Sequence, residues 1–237
     1  MTPSLGIGLG LSSGGTGSSV PFDFDTNTLW WDFTSGTNTI EADGDDTISV
    51  LPERIRGEKN FIQPTKDYQP LSEATGGDFN QDTPREMYLD DTSGIANGTD
   101  GYYFGCNLRF DTVESGIFLI SRNSSDVGSR GDVYVTGARN FRLLGNTSDS
   151  ATNPSIVLSA ALTIGTWYTL EVLWDLDTEA VVYTTPSGGS TTAVTASGAQ
   201  SPTTFPASDP FQVVIGNRAN ESSSMDGNYQ QAIFHNT

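Results

Sequence analysis

Two stretches with alternating side chains, 101-GYYFGCNLRF-110 and 166-TWYTLEVLWD-175, decide the fold class of this chain. In the first stretch the even positions are apolar or aromatic, and the odd positions include Tyr103, Asn107 and Arg109. The second stretch repeats the pattern, with apolar even positions from Tyr168 to Trp174. Because successive side chains of a strand point to opposite faces of a sheet, both stretches predict strands with one buried face.

Shorter segments of the same kind recur along the chain, separated by turn signals such as NGTDG, TPSGGS and DGN. These candidate strands are 46–51, 116–121, 132–137, 141–145, 155–162, 179–185, 211–216 and 228–235. No helical period of useful length accompanies them. The sequence therefore predicts an all-β domain over residues 21–237, built as a two-sheet antiparallel jelly-roll sandwich.

The charge of the chain limits the classes of partner that we expect it to bind. Of the 237 residues, 29 are acidic and 11 are basic, which gives a formal net charge of −18. A surface of this charge repels the phosphates of nucleic acids and of anionic membranes, so neither is an expected partner.

Residues 1–20 carry no charged side chain and are rich in Gly and Ser. They lack the basic start and continuous apolar core of a secretory signal, and they lack the length of a membrane span. A disordered tail is one interpretation of this segment. The other is a flexible N-terminal arm that docks onto a neighbouring subunit, because glycine alternates with the apolar residues Leu5, Ile7, Leu9 and Leu11.

Four stretches resemble, in order and spacing, the laminin-G-like, concanavalin-A-type lectin domains of phage and bacterial surface proteins. They are 28-TLWWDFTSGTNTI-40, 57-GEKNFIQPTKDYQP-70, 165-GTWYTLEVLWDLDTEAVVYTT-185 and 214-VIGNRANESSSMDGNYQQAIFHN-236. The resemblance covers residues 28–236 and implies a lectin-like jelly roll. The same fold houses lectins, adhesion modules and glycoside hydrolases, so it does not by itself give the function.

Catalytic chemistry has little support in the sequence. The resemblance implies that hydrolases of this fold carry Glu-x-Asp-x-Glu on one strand. Only 41-EADGD-45 and 175-DLDTE-179 come near that pattern. Both stretches read as turns rather than rigid strands. The single histidine, His235, lies near the C-terminus, and the single cysteine, Cys106, is expected to be a buried thiol. We therefore expect a protein that is not an enzyme.

Calcium is the one cofactor that the sequence leaves open. Asp43, Asp45 and Asp46 offer carboxylate ligands in one loop, and members of the resembling family hold calcium in a loop at a sheet edge. The alternative is an ordinary solvated acidic loop.

The aromatic residues Trp30, Trp31, Tyr103 and Trp167 are the candidates for stacking on sugar rings. Adjacent Trp30 and Trp31 must point to opposite faces of one strand, so one of them belongs in the core. Packing against a loop or a neighbouring subunit is the alternative role for the outward aromatic residues.

Together these features predict a structural protein of a virion, such as a head decoration, fibre or tail-associated protein, exposed on the particle surface. Its arm is expected to bind other virion proteins of the capsid or tail, and its lectin-like domain to bind host-surface glycans. A closed homo-oligomer, taken as a trimer, would follow from particle symmetry. The rivals are a secreted carbohydrate-binding module and a polysaccharide-cleaving glycosidase or lyase of the same fold.

Overall fold

The computed structural model is built from antiparallel strands throughout its described part. That part comprises residues 28–36, 38–41, 46–80, 85–90, 102–112, 121–122, 131–135, 139–145, 155–157, 161–175, 179–197, 211–216 and 225–236. Its strands are β1 Thr28–Asp32, β2 Thr39–Glu41, β3 Thr47–Leu51, β4 Phe61–Ile62, β5 Leu71–Glu73, β6 Gly76–Phe79, β7 Met87–Leu89, β8 Tyr102–Phe110, β9 Ser121–Arg122, β10 Gly131–Val135, β11 Phe141–Gly145, β12 Ser155–Val157, β13 Trp167–Asp175, β14 Glu179–Pro186, β15 Thr192–Ser197, β16 Phe211–Gln212, β17 Val214–Ile215 and β18 Gly227–Asn236. A short 3₁₀ helix, η1, spans Lys66–Tyr68.

The main sheet is one continuous hydrogen-bonded path of strands. Its order is β15-β14-β13-β8-β18-β6-β5-β3-β4-β7-β17, with β1 paired to β18 and β2 paired to β3. Side chains from both ends of this path meet in one apolar core, so the path forms both layers of a jelly-roll sandwich. Smaller sheets β10-β11-β12 and β16-β9 complete the described strands. This architecture confirms the predicted fold class.

The two stretches that decide the fold form the centre of the sheet. β13 pairs with β8 along its whole length, from Trp167 opposite Arg109 to Trp174 opposite Tyr102. The even residues of β8 from Phe104 to Phe110 lie in the core, as the alternation predicts. The odd residues Asn107 and Arg109 therefore share the opposite face of the sheet with Trp167 and Thr169.

β18 joins the halves of the main sheet and is its longest strand within the described residues. It pairs with β1, β6 and β8, and its register against β8 shifts between Tyr229 and Gln231. Such a bulge bends a strand and changes the direction of its side chains. Tyr229 is fully buried there, stacked 5.8 Å from Phe33, while Asn228 faces Arg109 across the sheet.

The segment 57–70, one of the four that resemble lectin domains, is held by buried glutamine side chains. Gln69 donates from its amide nitrogen to the Gln63 carbonyl at 2.8 Å and accepts from the Thr47 hydroxyl at 2.6 Å. Gln63 in turn donates to the Glu86 carbonyl at 3.1 Å. These bonds satisfy buried polar groups and fix the loop against β3 and the segment before β7.

No helix in the described part of the chain has the length and apolar character needed to span a membrane.

Candidate functional site

One side of the main sheet carries a row of polar and aromatic side chains. We call the polar face the side of β1, β18, β8 and β13 that is turned away from the core. This face carries half-buried or buried polar and aromatic side chains. They are Thr28, Trp30, Tyr103, Asn107, Arg109, Trp167, Thr169, Glu171, Asn228 and His235. Such a row of amides, carboxylates and indoles on a rigid sheet is a suitable surface for a polar ligand.

Arg109 is the centre of a hydrogen-bonded group at one end of the polar face. Its guanidinium binds Asp111 in a bidentate manner, with both N–O distances at 2.9 Å, and also donates to the side-chain oxygen of Asn228. The amide nitrogen of Asn228 then donates to Glu73 at 3.3 Å and to Asp78 at 3.4 Å. We call these five residues the Arg109 cluster.

Trp167 borders the Arg109 cluster on β13. The Arg109 guanidinium carbon lies 5.5 Å from the centre of the Trp167 ring, a cation–π distance. Trp167 is half-buried, while 26% of the Arg109 side chain and 36% of the Asp111 side chain are exposed. The buried Asn228 therefore holds the cluster on the sheet, while Arg109 and Asp111 expose it to solvent.

The electrostatics of the cluster act most strongly on Asp78. Burial raises the pKa of Asp78 to about 6, and the carboxylate of Glu73 adds to the effect; Arg85 opposes it. Asp111 and Asp226 contribute further repulsion. The hydrogen bonds that Arg109 donates to Asp111 raise the pKa of Arg109, so its guanidinium stays charged.

Replacing Asp78 with asparagine is expected to stabilise the domain by about 1 kcal/mol at neutral pH, after allowance for solvent screening of a half-buried group. The folded-state pKa of about 6 exceeds the ordinary 3.8, so the stabilising contribution of this carboxyl is complete below pH 3.8 and is lost as the pH rises through 6. Urea unfolding at neutral pH and near the ordinary pKa measures the difference. A gain that persists unchanged at the acidic pH would contradict this assignment.

Tyr103 and Glu171 form a second polar pair further along the face. The Tyr103 hydroxyl donates to the Glu171 carboxylate at 2.9 Å. Burial and then the charge of Glu171 raise the pKa of Tyr103, so the hydroxyl remains a donor. Burial raises the pKa of Glu171, and the bond from Tyr103 partly offsets that rise. Gly105 makes room for the pair, because a Cβ there would lie 2.7 Å from the Tyr103 hydroxyl.

Asn107 lies between these two groups and is 1% exposed. Its side-chain oxygen accepts from the Thr169 hydroxyl at 2.9 Å, on the side of β13. Among the described residues its amide nitrogen has no hydrogen-bond partner. An amide nitrogen left in this way is a donor that a ligand or a water can use.

The four aromatic candidates lie in three different environments. Trp31 is 1% exposed in the core, where its ring contacts Phe61 at 4.7 Å and its indole nitrogen donates to the Lys59 carbonyl at 2.8 Å. It is therefore removed from the candidate ligand contacts. Trp30 and Trp167 are half-buried on the polar face. Tyr103 lies on the same face but is only 8% exposed.

The calcium prediction concerns a loop that the structure describes only at its end. Asp43 and Asp45 lie outside the described residues. Asp46 is exposed, and its carbonyl accepts from the Ser72 backbone amide at 2.7 Å. Within the described ranges, no group of three His, Cys, Asp or Glu side chains is arranged to hold a metal ion. Calcium therefore stays a prediction.

The predicted arm and several other expectations also fall on undescribed residues. Leu5, Ile7, Leu9 and Leu11 lie outside the described residues, as do most of the candidate strand 116–121 and the boundary near residue 20.

Asp175 ends β13 opposite Glu179, which begins β14, so the acidic stretch 175–179 lies at a hairpin connection as expected. Cys106 is buried, and burial raises the pKa of its thiol.

Sequence reasoning missed the β6 and β5 side of the cluster. Asp78 and Glu73 lie on short strands with no alternating pattern, and Asn228, although it begins the candidate strand 228–235, carries no signal that pairs it with Arg109. The outward position of Arg109 on β8 was the one signal that pointed to this place.

No family model and no curated protein matches the chain. Among solved structures, an arabinofuranosidase complexed with arabinofuranosyl-alpha-1,2-xylobiose is similar over 81% of this chain and 47% of its own, at 13% identity and a TM-score of 0.50. The enzymatically active domain of bacteriophage CBA120 tailspike protein 2 is similar over 90% and 29%, at 10% identity and 0.49. Domains LG4-5 of the mouse laminin alpha1 chain are similar over 59% and 36%, at 12% identity and 0.40.

The chain spans less than half the length of each of these proteins. At these identities the likeness concerns the fold, which is the concanavalin-A-like, laminin-G-like jelly roll.

Proposed function

We propose that this protein is a non-enzymatic, lectin-like structural component of a virus particle that binds saccharides on its polar face. The observation that carries the binding role is the pairing of two half-buried indoles, Trp30 and Trp167, with amide and carboxylate groups on one continuous sheet surface. Indole rings stack on the apolar faces of sugars, and amides and carboxylates bind their hydroxyl groups.

Binding rather than cleavage is supported by how the carboxylates are held. Asp111 is paired with Arg109, and Glu171 accepts from Tyr103, so both serve neighbouring side chains in this structure. A glycosidase is the second candidate, because burial raises the pKa of Asp78 and of Glu171, as a general acid requires. The register places Glu171 three strands from Asp78 and four residues further along, so each would need a different partner carboxylate.

A panel of oligosaccharides and polysaccharides, scored for binding and for chain shortening, tests this function. We expect binding without shortening, and about a fivefold loss of affinity in Trp167→Ala, since one stacked ring contributes on the order of 1 kcal/mol. Tyr68→Ala is the matched control, because Tyr68 is an exposed aromatic residue on η1 and away from the polar face. Chain shortening would favour the glycosidase, and an equal loss in both variants would contradict the assigned face.

The virion role rests on the neutral N-terminal segment with its alternating apolar residues and on the lectin-like resemblance of the sequence. We propose that residues 1–20 bind capsid or tail proteins, that the sandwich faces outward, and that the subunits form a trimer. Deleting residues 1–20 is expected to leave the unfolding midpoint unchanged while abolishing oligomerisation or incorporation. A truncated protein that assembles normally would contradict the arm.

A further inference from the structure

The Arg109 cluster carries more negative than positive charge at the exposed end of the polar face. The carboxylates of Glu73, Asp78 and Asp111 belong to the cluster, and its one guanidinium is already bound in a bidentate manner by Asp111. Asp226 also acts on Asp78, and Arg85 is the second cation nearby. The cluster and its surroundings thus contain four carboxylates and two guanidinium groups.

This arrangement is unsuited to an anionic sugar. A carboxylated saccharide is usually held by an unpaired arginine, whose planar fork matches the carboxylate. Here that fork is engaged by Asp111 and Asn228, and one side of the guanidinium lies over Trp167. Nε and Nη1 of Arg85 have no hydrogen-bond partner among the described residues, but both atoms are buried, so neither edge of that guanidinium presents two exposed donors to a carboxylate. A second carboxylate would have to displace Asp111 in a field that already repels it.

A buried donor without a partner lies on the same face of the sheet. Asn107 is two residues before Arg109 on β8, so its side chain lies on the same face. Thr169 on β13 binds its oxygen, and the residue opposite Asn107 on β18 is Gln231, while Asn228 lies opposite Arg109. The amide nitrogen of Asn107 is buried and has no partner among the described residues. It can donate to a sugar oxygen once a ligand reaches the face.

We propose that the Arg109 cluster recognises a saccharide with a protonated amino group, such as a deacetylated amino sugar. The inference rests on the proposed saccharide-binding function of the polar face and adds its ligand class. Glu73, which is exposed, and Asp78 supply carboxylates for the ammonium group, and Asn107 supplies a hydroxyl contact. Trp167 lies three strands from Asp78 and supplies a ring for a further sugar unit of an oligosaccharide. Charge-assisted hydrogen bonds of this kind are stronger than neutral ones.

Calorimetric titration with three tetrasaccharides tests the inference: one of glucosamine, one of N-acetylglucosamine and one of galacturonic acid, at near-neutral pH and physiological ionic strength. We expect the glucosamine tetramer to bind about tenfold more tightly than the acetylated tetramer, and the galacturonate tetramer not to bind. Equal affinity for the first two, or binding of galacturonate, would overturn the inference while leaving saccharide binding intact. A protein that binds none of the three refutes the inference together with the proposed function for these sugars.

Matched variants separate the cluster from the general negative charge of the chain. Asp78→Asn and Glu73→Gln are each expected to reduce the preference for the glucosamine tetramer at least about threefold. Both changes keep the side-chain shape, and Glu73 is exposed, so folding is preserved in at least that variant. Asp67→Asn removes the same charge from exposed η1 and is expected to leave the preference unchanged. An equal reduction in Asp67→Asn would assign the preference to the net charge of −18 and contradict the cluster.

Discussion

Replacing Glu53 with glutamine is expected to lower the free energy of unfolding by about 3 kcal/mol. Glu53 is 3% exposed, and its carboxylate accepts four backbone N–H groups. One oxygen accepts from Trp30 at 3.2 Å and Ile55 at 2.8 Å, and the other accepts from Arg56 at 2.6 Å and Gly57 at 3.0 Å. The side chain thus ties the loop 53–57 to β1.

Glutamine keeps the size of Glu53 but has only one acceptor oxygen, so two backbone donors would face its NH₂ group. Unsatisfied buried donors are costly, and the lost bonds are charge-assisted. Glu58→Gln is the matched control, because Glu58 is exposed in the neighbouring sequence and its replacement is expected to change stability by less than about 0.5 kcal/mol. Chemical unfolding of both variants measures the difference, and equal stabilities would contradict the role of Glu53.

Gly227→Ala is expected to destabilise the fold by about 4 kcal/mol and to disrupt the Arg109 cluster. Gly227 begins β18 with φ at +154°, and a Cβ there would lie 1.9 Å from the carbonyl oxygen of Arg109. β18 would have to move away from β8 at the position where Asn228 bonds Arg109. Stability and the structure of the polar face therefore depend on the same glycine.

Gly36→Ala is the control for this prediction, because a Cβ at Gly36 meets nothing within 4 Å. We expect that variant to unfold within about 0.5 kcal/mol of the wild type. If Gly227→Ala were equally stable in urea unfolding, the close approach of β18 and β8 would be refuted.

The alternating stretches allowed the centre of the sheet to be predicted from the sequence. β8 and β13 begin within one residue of their predicted starts, and Asn107 and Arg109 lie on the predicted outward face. Alternation works here because these strands are long and have one apolar side. The segment 211–216 forms two shorter strands instead, β16 and β17, which belong to different sheets.

The candidate site needed the structure, because its parts come together through pairing between distant segments. Asp78 lies opposite Asn228, and Asn228 lies opposite Arg109, although the three residues come from well-separated stretches. Strands of two to four residues such as β5 and β6 are too short to show a period. Glu53 gives no local signal either, since its acceptor role depends on the path of the backbone around it.

Saccharide binding on the polar face can be mapped by NMR. The tightest oligosaccharide of the panel is titrated into ¹⁵N-labelled protein, and the backbone, indole and side-chain amide signals are followed. We expect the largest shifts at Asn107, Arg109, Trp167 and Asn228, with the side-chain amide of Asn107 among them. Shifts confined to the loop 53–57 and η1, with the polar face unchanged, would contradict this expectation.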